Sequence, residues 1–335
     1  MVEKWIENGK WVKMPNDLHN TLEANWDSDD KGDSLSTFFT SGTTGVAKKI
    51  QFSKNQIIAS TFRTANFFGL KSSDHVLHTL PHTFVAGRMN ILRALVLEQT
   101  VFYLPNWKSI EGWAELQQLG VDWWPCTPMM LETVIDLGID LSFIKKILLG
   151  GAPVSQGLLN KLQGWTTAVW EGYGMTETLT HIACRKINQG MPSGFTPMPK
   201  VRISFLEDQR IKVEDEELQN TVVTQDRGRE GGDGTFMVLG RMDDVINSGG
   251  IKIFPEQVEA FLNKIIPGRF AIVKQHDDHL GEKVICLYED EHWNPDGVDW
   301  RVVFEPYPYW RPKQFVQVNA LPTQSNGKLI RTWKG

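Results

Sequence analysis

Cysteine is scarce in this chain of 335 residues, which has three cysteines and no CxxC spacing. This pattern argues against a disulfide framework and a structural zinc site, and it is typical of a reducing cytosol. A long apolar run is also lacking, because the most apolar stretch, residues 91–104, contains Arg93 and Glu98 and is too short to span a bilayer. The first ten residues have no apolar core of the kind found in signal peptides. We therefore expect a cytoplasmic protein without a membrane partner.

The chain carries no large charge of either sign. Its formal net charge is −5, so there is no global attraction to nucleic acid or to anionic lipid, and we expect no nucleic-acid partner. Hydrophobic residues make up 41% and charged residues 22%, which is ordinary for a soluble enzyme. Any anionic ligand must therefore be held by local groups.

Segments with helical and strand spacing alternate along the first part of the chain. Residues 55–68 have helical spacing, which predicts one face formed by Ile58, Phe62 and Ala65. The other predicted helices are 87–97 and 110–119, and the predicted strands are 35–40, 75–80, 100–104, 146–149 and 167–170. This alternation favours a mixed α/β fold in which helices cover a parallel or mixed sheet.

Short strands dominate after about residue 200. Strands predicted at 201–206, 210–213, 221–224 and 235–239 indicate a β-rich subdomain, and the acidic run Glu214–Glu217 is expected to be a solvated loop. A helix near Pro255, strands at 270–274 and 284–288, and an aromatic-rich stretch at 304–312 predict a small α+β domain. We therefore divide the chain into an N-terminal domain, 1–242, and a C-terminal domain, 243–335.

A loop rich in glycine and hydroxyl groups follows the first predicted strand. It contains Thr40, Ser41, Gly42, Thr43, Thr44 and Gly45, and Lys48 comes shortly after. Glycine lets the backbone approach a ligand closely, hydroxyls donate hydrogen bonds and the lysine adds a positive charge, which together fit a phosphate cradle. The loop is not the common nucleotide P-loop, because the GxxxxGK[ST] pattern is absent. A flexible surface loop is the alternative interpretation.

A second segment, Glu171–Thr178, has residues suited to a nucleotide. Tyr173 lies between two glycines, so its ring can face a flat base. Thr176 and Glu177 follow, and they can hold a phosphate and its Mg²⁺. Taken alone, a tyrosine between two glycines is more often a turn with a packed aromatic ring.

Two further segments contain charged side chains at defined positions. Asp226 can accept hydrogen bonds from both ribose hydroxyls, and Arg241 can bridge ribose and phosphate with its fork of donors. Lys328, in a turn near the end of the chain, can lie beside developing negative charge. The alternatives are a surface salt-bridge cluster for the first pair and a solvated tail for Lys328.

In this order, the segments resemble the adenylate-forming superfamily of acyl-CoA synthetases, adenylation domains and luciferases, over residues 35–331. Two more segments add to the resemblance. Gly150–Pro153 is similar to the adenine-side loop of the family, and Ile246–Glu259 is similar to the start of its C-terminal domain. The resemblance implies a large N-terminal domain, a small hinged C-terminal domain, and ATP, Mg²⁺ and CoA as ligands.

The resemblance also implies a role for each matched residue. The residues that would contact ATP or CoA are Thr40, Ser41, Gly42, Thr43, Thr44, Gly45, Gly151, Ala152, Pro153, Glu171, Tyr173, Gly174, Asp226, Arg241, Gly249 and Gly250. The residues that would take part in catalysis are Lys48, Thr176, Glu177 and Lys328, of which Glu177 would also hold Mg²⁺. Asp243 falls on the hinge of the family.

Within the superfamily, Leu80–Met89, Arg93–Leu95 and Tyr173–Ala183 resemble the o-succinylbenzoate–CoA ligases of menaquinone synthesis, in a compact form that lacks much of the usual N-terminal region. That substrate has a second carboxylate, whose burial requires a cation or several donors. The candidate residues for the substrate pocket are His82, Phe84, Arg88, Thr180 and Arg63. The simpler interpretations are a loop residue for His82, a core residue for Phe84 and a solvated helix face for Arg88.

The sequence departs from the family pattern in three places. Ala47 stands where the family usually has proline, and Gln225 replaces the usual glycine before Asp226. The resemblance also implies a shortened N-terminal region, so that part of the pocket wall would come from elsewhere, for example from a second subunit of a homo-oligomer.

Three alternatives remain open at this stage. A CoA ligase for another aryl or fatty acid would have an apolar pocket in place of a cationic one. A non-catalytic nucleotide-binding relative would bind ATP without releasing pyrophosphate. An adenylation unit would pass its acyl group to a separate carrier protein.

Overall fold

The computed structural model of the chain describes residues 5–7, 10–11, 35–39, 48–188, 194–324 and 328–335. It divides into two compact units. The first comprises Met1–Ile203, Val213–Val222 and Gly232–Thr235, and the second comprises Ser204–Lys212, Val223–Gly231 and Phe236–Gly335. The expected domain border after residue 242 stays a prediction. No helix in the described ranges is long and apolar enough to cross a membrane.

The strands of the described residues are β1 (Trp5–Glu7), β2 (Lys10–Trp11), β3 (Leu35–Phe39), β4 (Lys49–Ser53), β5 (His75–His78), β6 (Thr100–Tyr103), β7 (Val121–Cys126), β8 (Ile144–Leu149), β9 (Ala168–Met175), β10 (Thr180–Lys186), β11 (Thr196–Pro197), β12 (Val201–Phe205), β13 (Arg210–Asp215), β14 (Asn220–Glu230), β15 (Phe236–Arg241), β16 (Ile246–Ser248), β17 (Ile251–Ile253), β18 (Phe270–Asp277), β19 (Gly281–Tyr288) and β20 (Gln314–Gln317). The α-helices are α1 (Lys54–Phe68), α2 (Val85–Val96), α3 (Ile110–Leu119), α4 (Pro128–Asp136), α5 (Gln156–Lys161), α6 (Pro255–Leu262) and α7 (Trp300–Val303). Short 3₁₀ turns lie at Thr176–Thr178, Met242–Asp244, Pro295–Gly297 and Pro308–Trp310.

A nine-stranded sheet forms the centre of the first unit, in the order β11-β10-β9-β8-β7-β5-β6-β1-β2. Strands β1 and β5 to β9 run parallel to their neighbours among themselves, whereas β2, β10 and β11 are antiparallel additions at the edges. The predicted mixed α/β architecture is therefore confirmed. Parallel strands joined by helices need cover on both faces, which explains why consecutive residues such as Val101 and Phe102 of β6 are both buried.

Two hydrophobic clusters cover the two faces of this sheet. Successive side chains of a strand point to opposite faces, and Trp123 and Trp124 of β7 accordingly belong to different clusters. Leu148 and Leu149 of β8 separate in the same way. The sheet is thus packed from both sides, and its strand ends are held in fixed positions.

Helix α1 has the predicted range but not the predicted buried face. Phe62 is 48% exposed, and the buried face instead includes Ile57, Thr64 and Phe68. The helix begins at a capping box, in which Ser53 accepts from the backbone N–H of Gln56 and the Gln56 side chain accepts in return. The prediction of the face failed because polar residues of α1 have partners inside the protein, so apolar spacing alone does not define its inner side.

The acidic run Glu214–Glu217 is not the solvated loop that the sequence predicts. Asp215 is 2% exposed and accepts a hydrogen bond from Arg63 Nη1 at 2.7 Å. Its other oxygen accepts from the backbone N–H groups of Glu217 and Leu218. A local charge count could not reveal this, because the partner of Asp215 comes from α1, about 150 residues earlier in the chain.

Strands β12 to β15 form a four-stranded sheet in sequence order, through which the division between the two units runs. The rest of the second unit has a five-stranded sheet in the order β17-β16-β19-β18, with β20 parallel to β19. Helix α6 packs on this sheet through Val258 and Leu262. Aromatic rings of the 304–312 stretch pack in the same core, where the ring centres of Phe304 and Phe261 are 5.2 Å apart. The predicted small α+β arrangement after residue 243 is present in these residues.

Candidate active site

The carboxyl ends of β5, β7, β8 and β9 meet at one edge of the nine-stranded sheet, because these strands are parallel neighbours. In open α/β sheets, ligands bind outside this edge. The segments that follow the strands here are those selected from the sequence: Leu80–Phe84 after β5, Gly150–Pro153 after β8, and Thr176–Thr178 after β9. The topology therefore places these three candidate segments along one edge.

The segment Gly151–Pro153 forms a turn after β8. Gly151 has a φ of 85°, which a glycine adopts without the cost that a side chain would add. The turn is tied to the sheet by Glu171, whose Oε1 accepts from the backbone N–H of Val154 at 3.3 Å. Burial raises the pKa of Glu171, and the ion pair with Arg185, at 2.6 Å, opposes this rise. Glu171 therefore fixes the Gly151–Pro153 turn in place.

The Tyr173 segment lies inside β9, whereas the sequence predicts a loop beginning after residue 170. Tyr173 is buried, and its ring centre is 5.9 Å from that of Phe195. At Gly174, a Cβ atom would lie 2.5 Å from the carbonyl carbon of Thr180 and 2.6 Å from Cα of His181. Glycine is thus required here by the close approach of β10.

A tight 3₁₀ turn at Thr176–Thr178 connects β9 to β10 and presents Thr176 and Glu177, both half-buried. The Thr178 hydroxyl holds the turn together, since it accepts from the N–H of Met175 and lies 2.8 Å from the carbonyl oxygen of Thr180. Thr180 has a φ of 86°, which is rare for a β-branched residue. Such strain persists only where surrounding contacts impose it, and it is common at ligand sites.

Arg93 is a buried cation that forms no ion pair with a carboxylate of the described residues. It is 4% exposed, its Nη2 donates to Thr180 Oγ1 at 2.5 Å, and its Nε has no hydrogen-bond partner there. Burial, and then the neighbouring Arg63, lower the pKa of Arg93 to about 9. Arg93 was not among the predicted substrate residues. The signal that points to it is a single arginine in the most apolar stretch of the chain.

The charged and titratable neighbours of Arg93 include Arg63 and His181. Arg63 pairs with Asp215 at 2.7 Å and also lies 3.6 Å from the half-buried Glu217. Burial, followed by the charges of Arg93 and Arg63, holds the pKa of His181 well below its usual value. The His181 ring is therefore neutral and makes a hydrogen-bond contact with Thr64 at 3.1 Å. Arg93 itself thus makes no ion pair among the described residues, whereas Arg63 makes two.

Arg88 is buried and not on the solvated helix face of the alternative interpretation. Its Nη1 donates to the carbonyl oxygen of Thr37 at 2.6 Å, and its guanidinium lies 4.8 Å from the ring centre of Phe38. Burial lowers the pKa of Arg88, and its Nε and Nη2 have no hydrogen-bond partner among the described residues. His82 and Phe84, the other predicted pocket residues, are half-buried before α2. Their substrate roles stay predictions.

The predicted phosphate loop, Thr40–Gly45, lies outside the described residues. The strands on either side of it, β3 and β4, pair antiparallel, with Phe39 opposite Lys49. Lys48 is exposed immediately before β4. The phosphate contacts of Thr40–Gly45 stay a prediction.

Asp226 and Arg241 face each other across β14 and β15, as partners in the strand register. Arg241 donates from Nη1 to Asp226 and from Nη2 to Asp243, both at 2.8 Å. Burial acts to lower the pKa of Arg241, but the charges of Asp226 and Asp243 outweigh it, and the pKa is raised. The structure thus brings together three residues that the sequence selected separately. Asp226 lies within the eleven-residue strand β14, whereas the sequence predicts a strand end.

The second unit contains the remaining candidates. Gly249 and Gly250 form the two-residue turn between β16 and β17, with φ values of 58° and 84°. Two positive φ values are typical of the hairpin turn that matches the twist of β-strands. Lys328 is half-buried, and its carbonyl oxygen accepts from the N–H of Gln324 at 2.7 Å.

Glu177 is a suitable ligand for Mg²⁺. Among the described residues there is no cluster of three or more metal-binding side chains, so the protein offers no complete cage in this part of the chain. Mg²⁺ is usually bound by one or two carboxylates together with phosphate oxygens and water, and a single half-buried carboxylate at the strand edge fits that chemistry.

The chain belongs to the AMP-binding enzyme family, whose model matches residues 4–232. This match confirms the predicted superfamily. A curated relative, the 2-succinylbenzoate–CoA ligase of Staphylococcus epidermidis, is 24% identical over 323 residues, which cover 88% of this chain and 68% of the relative.

Solved structures share the fold. An o-succinylbenzoate CoA synthetase from Bacillus subtilis, in complex with ATP and magnesium ion, matches with a TM-score of 0.74 and 21% identity over 88% of this chain and 68% of its own. The same enzyme in complex with its acyl-adenylate intermediate matches with a TM-score of 0.73, 21% identity, and coverage of 88% and 67%. An acyl-CoA synthetase-like protein from Dyadobacter fermentans matches with a TM-score of 0.57 and 25% identity, over 88% of this chain and 87% of its own.

Proposed function

We propose that this AMP-binding enzyme is an AMP-forming CoA ligase that converts 2-succinylbenzoate to its CoA thioester, a step of menaquinone biosynthesis. The curated relative and the Bacillus subtilis synthetase act on this acid by name. The buried guanidinium of Arg93, which makes no ion pair among the described residues, supports the same substrate class from this chain's own residues.

The reaction proceeds in two displacements. In the first, a carboxylate oxygen of the acid attacks the α-phosphorus of ATP, the bond to pyrophosphate breaks, and acyl-AMP forms. In the second, the CoA sulfur attacks the acyl carbon, the bond to AMP breaks, and the thiol proton leaves. Negative charge grows on the phosphoryl oxygens in the first step, and positive groups placed there in advance lower its barrier.

Different residues of this chain would bind the different parts of ATP and its Mg²⁺. Lys48 and the preceding loop would bind the phosphates, and Thr176 would contact the α-phosphate. Glu177 would hold Mg²⁺, which supplies further positive charge when bound. Tyr173 would stack on adenine, and the Asp226–Arg241 pair would take the ribose.

The C-terminal segment would serve each displacement with a different part. Lys328 would act in adenylate formation, and rotation about Asp243 would then bring the Gly249–Gly250 turn to the route of the CoA arm. The expected border of this mobile domain is residue 243.

The observation that carries the substrate proposal is Arg93. Burying a cation without a counter-charge is costly, so a pocket that contains one favours a ligand that supplies the missing negative charge. The acid has two carboxylates, of which only one is activated. The second carboxylate would pair with Arg93 beside Thr180, and a monocarboxylic acid could not do so.

The experiment measures AMP and thioester formation from ATP, Mg²⁺ and CoA with 2-succinylbenzoate, benzoate, octanoate or no acid. We expect a strong preference for 2-succinylbenzoate. AMP formed only with another acid would leave the AMP-forming chemistry and overturn the substrate. No AMP with any acid would overturn the catalytic proposal and favour a binding protein.

The variant Arg93→Gln tests the pairing directly. We expect kcat/KM for 2-succinylbenzoate to fall by about 30-fold to 1,000-fold, which corresponds to about 2–4 kcal/mol for a buried charge pair. Residual turnover of benzoate should stay constant, since benzoate has no second carboxylate. Arg269→Gln is the matched control, because the side chain of Arg269 is about half-exposed and lies 3.4 Å from its partner Glu289 in the second unit. Equal losses for both acids would contradict the pairing.

We also propose that the enzyme works in the cytoplasm. Cys126, Cys184 and Cys286 are all free and buried, which is compatible with a reducing compartment. ATP and CoA, the proposed substrates, would be drawn from the same compartment.

A further inference from the structure

Arg331 lies three residues after Lys328 and forms the centre of a buried ion cluster in the second unit. Its Nη1 and Nη2 bind the two carboxylate oxygens of Glu259 at 2.5 and 3.0 Å. Nη1 also donates to the carbonyl oxygen of Ile272 at 2.8 Å, and the side chain is 10% exposed. Two parallel hydrogen bonds from a guanidinium to one carboxylate fix both distance and orientation.

Glu259 is itself held in place. It belongs to α6, and its Oε1 accepts from the backbone N–H of Ile272 in β18 at 2.8 Å. Helix α6 packs into the core through Val258 and Leu262. Arg331 therefore binds both helix α6, through Glu259, and strand β18, through the carbonyl oxygen of Ile272.

The backbone around Arg331 continues this attachment. The N–H of Lys274 donates to the carbonyl oxygen of Arg331, and the N–H of Trp333 donates to that of Lys274, both at 2.8 Å. Residues 329–333 thus run beside β18 as a short parallel addition to the sheet. Leu329 and Trp333 pack against the buried cluster formed by Val273 and its neighbours.

Residues 328–330 also pair with residues 322–324. The N–H of Ile330 donates to the carbonyl oxygen of Pro322 at 2.8 Å, and the N–H of Gln324 donates to that of Lys328 at 2.7 Å. Thr323 and Leu329 form an antiparallel bridge between these bonds. Lys328 therefore lies at the end of a narrow ladder whose base is fixed by Arg331.

Two more carboxylates complete the cluster. Glu256 Oε1 lies 3.5 Å from Nη2 of Arg331, and Asp244 Oδ2 lies 3.8 Å from its Nε. Asp244 directly follows the predicted hinge residue, Asp243. Burial acts to lower the pKa of Arg331, but Glu259 and the other acids outweigh it, so the guanidinium is charged at every working pH. Arg331 thus links Asp244, next to the predicted hinge residue, to the segment 328–333.

We propose that Arg331 is a positioning residue for adenylate formation, because its two-pronged bond to Glu259 fixes where Lys328 is presented. This inference rests on the proposed function, in which Lys328 acts on the first displacement. A misplacement of about 1 Å in a catalytic group can cost about 100-fold in rate, so the base of the ladder matters although it lies away from the reacting atoms.

The test uses Arg331→Lys, which keeps the charge but loses the fork, and Glu259→Gln, which removes the charge of the partner. Adenylate formation is followed by pyrophosphate release, and thioester formation is followed separately from supplied acyl-adenylate. We expect adenylate formation to fall by about 10-fold to 100-fold in each variant, with little change in thioester formation. Arg202→Lys, at the exposed ion pair with Glu216, is the matched control and should change neither.

Combination with Lys328→Ala separates positioning from simple destabilisation. If Arg331 acts through Lys328, adding Arg331→Lys to Lys328→Ala should cause almost no further loss, since residues that act as a unit are not additive. The proposal would be overturned if the rate losses of the two single variants multiplied in the double variant. It would also be overturned if Arg331→Lys slowed both half-reactions equally.

Hydrogen exchange gives a readout that needs no activity. We expect the amides of Gln324 and of residues 328–333 to exchange faster in Arg331→Lys and to stay unchanged in Arg202→Lys. Unchanged exchange in Arg331→Lys would overturn the proposal. Absence of pyrophosphate release from the unmodified enzyme with every acid would instead refute the proposed function, and the exchange result would still report on the attachment.

Discussion

The ion pair between Arg63 and Asp215 provides a sharp test of the first unit. Both side chains are essentially inaccessible, at 1% and 0% exposure, and their charged atoms are 2.7 Å apart. Asp215→Asn keeps an oxygen that can accept from the backbone N–H groups of Glu217 and Leu218, but it removes the negative charge. Among the described residues, Arg63 is then left with the half-buried Glu217, 3.6 Å from its Nη1, as its remaining counter-charge.

The expected cost follows from that geometry. Removing one partner of a buried pair costs about 3–5 kcal/mol, whereas an exposed pair contributes about 0–1 kcal/mol. The exposed pair of Lys161 and Asp136, at 2.6 Å, is therefore a control with nearly the same distance but different burial. Arg63→Met removes the opposite charge, so the double variant Arg63→Met/Asp215→Asn should recover part of the loss.

The assay is urea unfolding followed by tryptophan fluorescence, with the slope of each transition compared among variants. We expect Asp215→Asn to lower the unfolding free energy by about 3–5 kcal/mol and the double variant to lie at least about 1 kcal/mol above the sum of the single effects. The reasoning would be refuted if the two single effects added, or if Asp215→Asn cost no more than Asp136→Asn.

Four further predictions concern the site and the second unit. Gly174→Ala should lower stability by about 3 kcal/mol or more because its Cβ meets the backbone of β10, whereas Gly150→Ala, with open space at that position, should change little. Lys328→Ala should slow pyrophosphate release by about 100-fold to 1,000-fold and leave thioester formation from supplied acyl-adenylate largely intact. Glu177→Gln should raise the Mg²⁺ concentration needed for half-maximal adenylate formation, as measured by titration. Glu256→Gln should become stabilising relative to the unmodified protein as the pH rises, because burial, opposed by Arg331, raises the pKa of Glu256 from 4.5 to about 7. The contribution of the neutral carboxyl is fully present below pH 4.5 and is lost as the pH rises through about 7, so the advantage of the variant should approach a value on the order of 3 kcal/mol by pH 8.

Each of these has a result that contradicts it. Equal stability of the two alanine variants would show that β10 yields to a side chain at position 174. Equal loss of both half-reactions in Lys328→Ala would refute the two-part use of the C-terminal segment. An unchanged Mg²⁺ titration would remove Glu177 from the metal site. A pH-independent difference between Glu256→Gln and the unmodified protein, in urea unfolding from pH 4 to 8, would show that Glu256 titrates at its ordinary value.

Most strands and helices were predictable, because their apolar residues follow the period of the element that they form. The apolar period of the sequence predicts the wrong buried face where a polar residue has a partner far away in the sequence. Phe62 is exposed because the inner side of α1 is defined partly by Arg63 and Thr64, whose partners lie on other elements. Asp215 is buried for the same reason. No local pattern contains this information, since it depends on which elements the fold brings together.

The candidate site likewise contains positions that the sequence predicts and positions that it does not. The strand-end positions of Gly150–Pro153 and Thr176–Thr178 follow from the alternation of strands and helices, and the structure has them there. Tyr173 is different, because glycines on both sides suggest a turn, whereas the close approach of β10 requires glycine inside a strand. Arg93 was missed because the segment around it has the composition of a core helix. Only the absence of an ion-pair partner among the described residues distinguishes it.

The edge formed by the ends of β5, β7, β8 and β9 has a consequence for how such an enzyme can diverge. The side chains that build the two cores belong to the strands and helices, whereas His82 and Phe84, two of the residues that would meet the acid, belong to a short segment beyond the end of β5. Changes at His82 or Phe84 leave the strand ladder and both clusters untouched. A new acid specificity is therefore accessible by few substitutions, without loss of the scaffold that holds the nucleotide.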